Sequence, residues 1–291
     1  MANKQTEHVS LGSVLRCPKG PVDVKRDLDP RVTPAFPGKG KDDVPKVYST
    51  LEPQLDDLQE RLYANARGDD AAKAASVLLV LQGMDTAGKG GVVKHVIGMV
   101  DPQGVSIKAF KAPTPEELSH DFLWRIRQAL PAPGQIGIFD RSQYEDVLIG
   151  RVNQLAPADV IETRYGLINE FEQQLADSGT RVVKCFLNVS KRVQRERLEA
   201  RLDDPAKYWK YNPGDLDVRT KWNDYMDAYG LALGRCNTDD APWYVIPADH
   251  KWYRNWAVAQ ILLETLQSMD LEWPPASFDV EAEKARVKAA R

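Results

Sequence analysis

The stretch from Ser76 to Gly91 reads SVLLVLQGMDTAGKGG. The apolar run Val77–Leu81 is short and closes on Gln82-Gly83. Such brevity, with a glycine straight after it, suits a strand buried on both faces of a parallel sheet. Gly83 to Lys89 then satisfies G-x-x-x-x-G-K, with apolar helical spacing from Val92 to Val100 beyond it. Strand before and helix after is the context this motif demands. Gly83 and Gly88 allow backbone shapes barred to residues with a Cβ, so successive N–H groups can point at one anion. The helix start adds its positive dipole end, and Lys89 adds a mobile charge. The competing reading is a tight strand–helix turn with an incidental lysine.

Two departures from the usual phosphate loop bear on its chemistry. Gly90 stands where Ser or Thr would supply a hard oxygen to Mg²⁺, and Asp85 sits inside the loop. Asp85 can return that oxygen, and a carboxylate is favoured in an anion site only where cations outnumber it. Asp85 as an Asx-turn residue is the alternative. A second apolar strand, Gln135–Asp140, ends in Asp140-Arg141-Ser142. An aspartate at the carboxyl end of a buried strand faces the crevice where open α/β sheets bind ligands, so Asp140 reads as a second Mg²⁺ ligand. Arg141 can fork onto phosphate oxygens; a salt bridge between the two is the alternative. Glu145 and Arg151 follow in QYEDVLIGR, where a nucleotide contact and a plain helix-end role are both open.

Strands are expected at 76–83, 105–110, 135–140, 181–189 and 245–247. Helices are expected at 47–67, 92–100, 115 onward, 158–178 and 252–266. The alternation implies a parallel sheet with right-handed crossovers. Leu51, Leu55, Leu58 and Leu62 mark the buried face of the first helix. Thr114 and Glu117 form a capping-box pair before the helix that Pro115 opens. Residues 1–48, rich in Pro, Gly, Lys and Asp, read as an irregular arm on the surface, or a partly disordered one. The segment 190–234 has helix and turn signals but no strand, and reads as a helical lid. The domain proper then spans 49–270, and 271–291 is a charged, helix-prone tail.

Bulk properties exclude other classes. A net charge of −3 argues against a general nucleic-acid binder. The opening residues, MANKQTEHVSLGS, hold no apolar signal core, and no apolar run approaches bilayer length, so no membrane partner is expected. Cys17, Cys185 and Cys236 are widely spaced and odd in number, which points to a reducing cytoplasm. The four histidines do not pair at ligand spacing. Between Arg181 and Lys221 basic residues outnumber acidic ones, Lys184 and Lys191 included. This run suits a channel for a polyanion, or a solvated helix surface. Its aromatic residues (Tyr208, Trp209, Tyr211, Trp222, Tyr225) read as packing.

GMDTAGKGG, FDRSQYEDV, DDPAKYWKYNPGDLDVRTKWNDYMDAYG and APWYVIPADHKWYRNWAVAQILLETL together resemble the type 2 polyphosphate kinases, from about Leu51 to about Leu266. The resemblance implies a thymidylate-kinase-like P-loop fold, three layers about a parallel sheet, with a helical lid. It implies Mg²⁺-dependent phosphoryl transfer between inorganic polyphosphate and nucleotides. It implies Asp85, Lys89, Asp140 and Arg141 as catalytic residues, with Asp85 and Asp140 on the metal. Phosphate contacts are expected from Gly83, Ala87, Gly88, Gly90, Gly91 and Lys94 about the loop, and from Arg197, Arg201, Lys207 and Lys210 in the lid. Members acting on nucleoside monophosphates tend to carry an acid where Glu145 stands, so the chain resembles the subclass accepting AMP and ADP. Many of that subclass have Asn where Asp140 stands, and this chain departs from them there. A homo-oligomer, dimer or tetramer, is the expected assembly. The rival is an ATP-dependent nucleoside or nucleotide kinase of the same fold.

Overall fold

The structure, a computed structural model, describes residues 10–68 and 71–290. The opening residues weighed above, His8 among them, and the final Arg291 lie outside the described residues. Five strands form one parallel sheet: β1 (Ser76–Gln82), β2 (Val105–Ala109), β3 (Ile136–Asp140), β4 (Thr180–Asn188) and β5 (Trp243–Pro247), in the order β2-β3-β1-β4-β5. The central strand β1 is buried at every position, as its unbroken apolar run requires.

The helices, in chain order, are α1 (Leu11–Leu15), α2 (Val24–Asp27), α3 (Val44–Asn65), α4 (Lys89–Val96), α5 (Pro115–Leu118), α6 (Trp124–Arg127) and α7 (Ile149–Val152). Then come α8 (Ala158–Asp177), α9 (Lys191–Leu202), α10 (Gly214–Thr220), α11 (Trp222–Arg235), α12 (Lys251–Gln267) and α13 (Val280–Ala289). Helices α3 and α4 pack on α12, while α8 lies against β4, so helices flank the sheet in a P-loop-kinase α/β arrangement. Leu51, Leu55 and Leu62 are buried and Leu58 is half-buried, so the leucine spacing gave the inner face of α3. The Thr114–Glu117 capping box is present in both directions, but α5 spans only four residues. Between 190 and 234 the described chain is α9, a 3₁₀ segment at Pro205–Lys210, α10 and α11, without a strand.

The N-terminal arm is more integrated than a surface strap. Leu11, Leu15, Cys17 and Val24 are buried in the common core. The Glu264 carboxylate on α12 accepts from the backbone N–H of Leu11 and Gly12 at 2.9 and 2.8 Å. Cys17 N–H donates to the Trp243 carbonyl at 2.8 Å, and Arg16 makes an antiparallel bridge with Tyr244. The arm thereby covers β5, an edge strand whose open side would otherwise invite pairing. Its prolines and glycines limit regular structure to the short helices α1 and α2 but do not prevent burial of the few apolar residues among them. No helix among the described residues is long and apolar enough to cross a membrane.

Candidate active site

The loop after β1 is built by residues that accept unusual backbone shapes. Gly83 has φ +153°, and a Cβ there would meet the Leu187 carbonyl at 2.8 Å. Gly88 has φ +113°, and a Cβ there would fall 1.7 Å from Arg254 Nη1. Thr86 (φ 65°) and Arg141 (φ 66°) adopt the left-handed region without being glycine, a strained state that tends to collect at functional sites. Lys89, the first residue of α4, is buried and curls back to donate to the Gly83 carbonyl at 2.8 Å.

Leu81 of β1 is in register with Asp140 of β3. Hence the loop and the Asp140-Arg141 pair leave the sheet side by side, at the carboxyl ends of neighbouring strands. Arg141 Nη2 donates to Asp85 Oδ1 at 3.0 Å. Burial alone would push the Arg141 guanidinium down, but Glu145, Asp85, Tyr229 and Asp140 outweigh it and hold it above its ordinary value. Glu145 is driven the other way. Burial raises its carboxyl above the ordinary range, against the pull of Arg141 and Lys89. With its amide oriented to satisfy its neighbours, Gln82 donates to Glu145 Oε1 and accepts from Ser142 N–H, both at 3.1 Å. Asp85, Lys89, Arg141, Glu145 and Asp140 are therefore brought together.

The loop's own carbonyls are held from behind by two arginines. Arg197 Nη1 donates to the Thr86 and Ala87 carbonyls at 2.9 and 3.2 Å, and its Nη2 to those of Ala248 and Asp249 at 2.7 and 2.9 Å. Arg254 Nη1 donates to the Ala87 carbonyl at 3.0 Å while its Nε and Nη2 hold Asn255 Oδ1 at 3.1 and 2.7 Å. Burial, with Arg197 nearby, lowers the Arg254 guanidinium to about 10, so it stays charged at neutral pH. Arg254 escaped the sequence reading, since a lone arginine in an apolar helix carries no motif. Lys251, one turn earlier on α12, is lowered by burial and then by Arg197, Arg254 and Lys207. This gathering of cations has few acids to balance it.

The remaining expected residues are scattered. Gly90 is exposed, Gly91 lies under Arg254, and Lys94 is exposed on α4. Arg201 donates to the Lys210 carbonyl at 2.8 Å and pairs with Asp215 at 3.3 Å. Lys207 pairs with Asp204 at 2.7 Å, and Lys210 lies over the Trp209 ring at 4.9 Å. Arg151 turns to Glu162 at 2.7 Å rather than to the loop. Lys184, counted above in the basic run, is corrected: it is wholly buried on β4 and paired with Glu172, because β4 is a core strand. Trp222 and Tyr225 do pack inside, but Tyr208 and Trp209 are exposed, Trp209 at 79%. Two further groups face the acids. Burial, then Asp85, raises the Asp215 carboxyl, and burial with Glu145 and Asp85 pushes Tyr225 up to about 12.

Among the described residues no three His, Cys, Asp or Glu side chains close on one point. A cation here would rest on one or two carboxylates, with water and phosphate oxygens completing its shell. That is the manner of Mg²⁺, and the hard oxygens of Asp85 and Asp140 fit it.

The family model for polyphosphate kinase 2 matches residues 47–274. An AMP/ADP-polyphosphate phosphotransferase of Meiothermus ruber is 46% identical over 257 residues, covering 88% of this chain and 93% of that one. An ADP-polyphosphate phosphotransferase of Rhodopseudomonas palustris is 41% identical over 248 residues, 81% and 83% of the two chains. The crystal structure of polyphosphate kinase 2 from Arthrobacter aurescens superposes with a TM-score of 0.91 at 50% identity, over 97% of this chain and 98% of that one. With the family model matching most of the chain and nearly the whole fold in common, the chain belongs to the polyphosphate kinase 2 family.

Proposed function

We propose that the protein transfers phosphoryl groups between inorganic polyphosphate and adenine nucleotides, with AMP and ADP both as acceptors. The observation that carries this is the meeting of Asp85, Lys89, Asp140 and Arg141 at the ends of β1 and β3. The relative named for both AMP and ADP supports the choice of acceptors. Mg²⁺ held by Asp85 and Asp140 would neutralise phosphate charge. The nucleotide's terminal oxygen is already anionic near neutral pH, so no general base is required. Catalysis then rests on placement and on charge laid out in advance.

The two cations each have a partner to leave. Lys89 moves from the Gly83 carbonyl to the transferring phosphoryl group, and Arg141 moves from Asp85 to its equatorial oxygens. The loop N–H groups grip the same phosphate. Glu145 lies on the acceptor side, next to Arg141. The segment 190–234 acts as a lid, and Lys207, Lys210 and Lys251 draw the polyanion past the loop, while Arg197, expected above to touch phosphate, braces the loop through its carbonyls.

The test is incubation with polyphosphate, Mg²⁺ and AMP, following nucleotides by chromatography. ADP should appear first and ATP after it. Product formed with ATP as donor but not with polyphosphate would overturn the proposal in favour of an ordinary nucleotide kinase.

A further inference from the structure

Beneath the cleft lies a second ion pair, sealed from solvent. Lys184 on β4 and Glu172 on α8 are wholly buried, with Nζ and Oε2 2.5 Å apart. Lys184 Nζ also donates to the Tyr144 hydroxyl at 2.9 Å and to the Cys236 carbonyl at 2.6 Å. Glu172 Oε1 accepts from the Tyr144 hydroxyl at 2.8 Å and from Gln143 Nε2 at 2.9 Å. All three protons of the ammonium are thus spoken for. A buried pair of this kind is often no more stabilising than apolar residues of equal volume. Folding stability alone is therefore a poor account of it.

What the pair does hold is geometry. Gln143 and Tyr144 lie, with Ser142, between Arg141, whose left-handed φ must be imposed by its surroundings, and the half-buried Glu145. Cys236 is the C-cap of α11, the helix that brings Tyr225 and Tyr229 towards Glu145 and Asp85. Burial and Glu172 push the Tyr144 hydroxyl well above its ordinary value, so it remains protonated and can donate to Glu172 while accepting from Lys184. The Tyr144 ring is fixed edge-on to Trp243 at 4.7 Å.

We infer that Lys184, Glu172 and Tyr144 form a positioning strut that ties the Arg141–Glu145 loop to the root of α11 and so governs affinity for the nucleotide acceptor. The inference rests on the polyphosphate–nucleotide reading above. The phosphate loop is held separately, by Arg197 and Arg254 on its far side. Loosening the strut should therefore separate the two substrates.

Tyr144→Phe keeps the ring and removes the hydroxyl. The expected result is a KM for AMP and ADP raised roughly tenfold, with the KM for polyphosphate within about twofold of the parent. The double variant Lys184→Met with Glu172→Leu removes both charges at similar volume. It should melt below the parent, since the Gln143 amide, the Tyr144 hydroxyl and the Cys236 carbonyl lose their partners, and still show the nucleotide defect with the polyphosphate KM unmoved. A merely structural role predicts equal losses for both substrates, tracking melting temperature; that outcome, parent-like nucleotide KM values, or failure of both variants to fold overturns the strut. A parent without polyphosphate-dependent transfer sinks the functional reading instead, whereas an active parent with parent-like variants sinks the strut alone.

Discussion

Gly88 and Gly90, on either side of Lys89, should respond to alanine with opposite signs. At Gly88 a methyl group would fall 1.7 Å from Arg254 Nη1 and 2.3 Å from its Cζ, with the backbone at φ +113°. The backbone cost for a residue with a Cβ is about 1–2 kcal/mol. Arg254 is almost fully buried and its guanidinium holds the Ala87 carbonyl, so it cannot swing away freely. Losing that charged hydrogen bond costs about 1–3 kcal/mol more. At Gly90, inside α4, a Cβ meets nothing within 4 Å. Alanine there should gain about 0.5–1 kcal/mol from reduced chain entropy and better helix propensity. At about 2–4 °C per kcal/mol for a domain of this size, Gly88→Ala should melt roughly 5–15 °C lower and Gly90→Ala roughly 1–4 °C higher. Gly91→Ala, whose Cβ would approach Arg254 Nη2 at 2.5 Å without a left-handed φ, should fall between them. Thermal unfolding followed by circular dichroism reads all three. A neutral Gly88→Ala, or a Gly90→Ala that melts below the parent, would refute the claim that Arg254 dictates where glycine is required.

Lys89→Ala and Asp140→Ala should each lower kcat about a hundred- to a thousand-fold with melting temperature little changed; near-normal turnover in steady-state assays would remove either residue from the chemistry. Glu145→Gln tests the raised carboxyl. A carboxyl raised by folding contributes stability below its ordinary value and loses it as pH climbs through the raised value. The melting temperature of the variant should therefore gain on the parent as pH climbs above the ordinary carboxylate value of about 4, and a flat or opposite trend would contradict the burial argument. The cations about Lys251 and Arg197 should make the KM for polyphosphate rise with salt as the screening length falls to about 10 Å at 0.1 M. Titration with potassium chloride shows this, and a salt-independent KM would argue against a basic track.

The parallel sheet was legible because β1 and β3 carry unbroken runs without charge and lead into Gly83 or end in Asp140, signals that need no tertiary context. So was the loop, since Gly83, Gly88 and Lys89 carry their roles in backbone freedom and charge. Lys184 was misplaced because charge in a run suggests solvent, while its burial depends on Glu172 twelve residues earlier and on Cys236 far downstream. Arg254 was invisible for the same reason: its partner is a backbone carbonyl on Ala87, which no side-chain pattern announces. The arm resisted reading because its burial is set by β5 and α12, not by its own periodicity.

These long-range contacts bear on why an aspartate can sit in an anion site at all. Lys89, Arg141, Arg197 and Arg254 converge on a loop whose own acid is Asp85, with Glu145 and Asp215 close enough to shift or be shifted by the same charges. Two of the four cations are committed to loop carbonyls on the far side, so they stiffen the cradle without cancelling its acid. The other two, Lys89 and Arg141, contact only a carbonyl and Asp85, and either contact can be exchanged for phosphate oxygens at modest cost because one charged hydrogen bond replaces another. Once Arg141 turns to phosphate, Asp85 is left as a hard oxygen donor beside a polyanion, a position that favours a divalent cation and disfavours a bare carboxylate. Asp85→Asn should therefore keep the Arg141 contact through its amide oxygen yet raise the Mg²⁺ concentration needed for half-maximal rate by about tenfold or more. An unchanged Mg²⁺ requirement in that variant would mean that the loop aspartate serves only to hold Arg141.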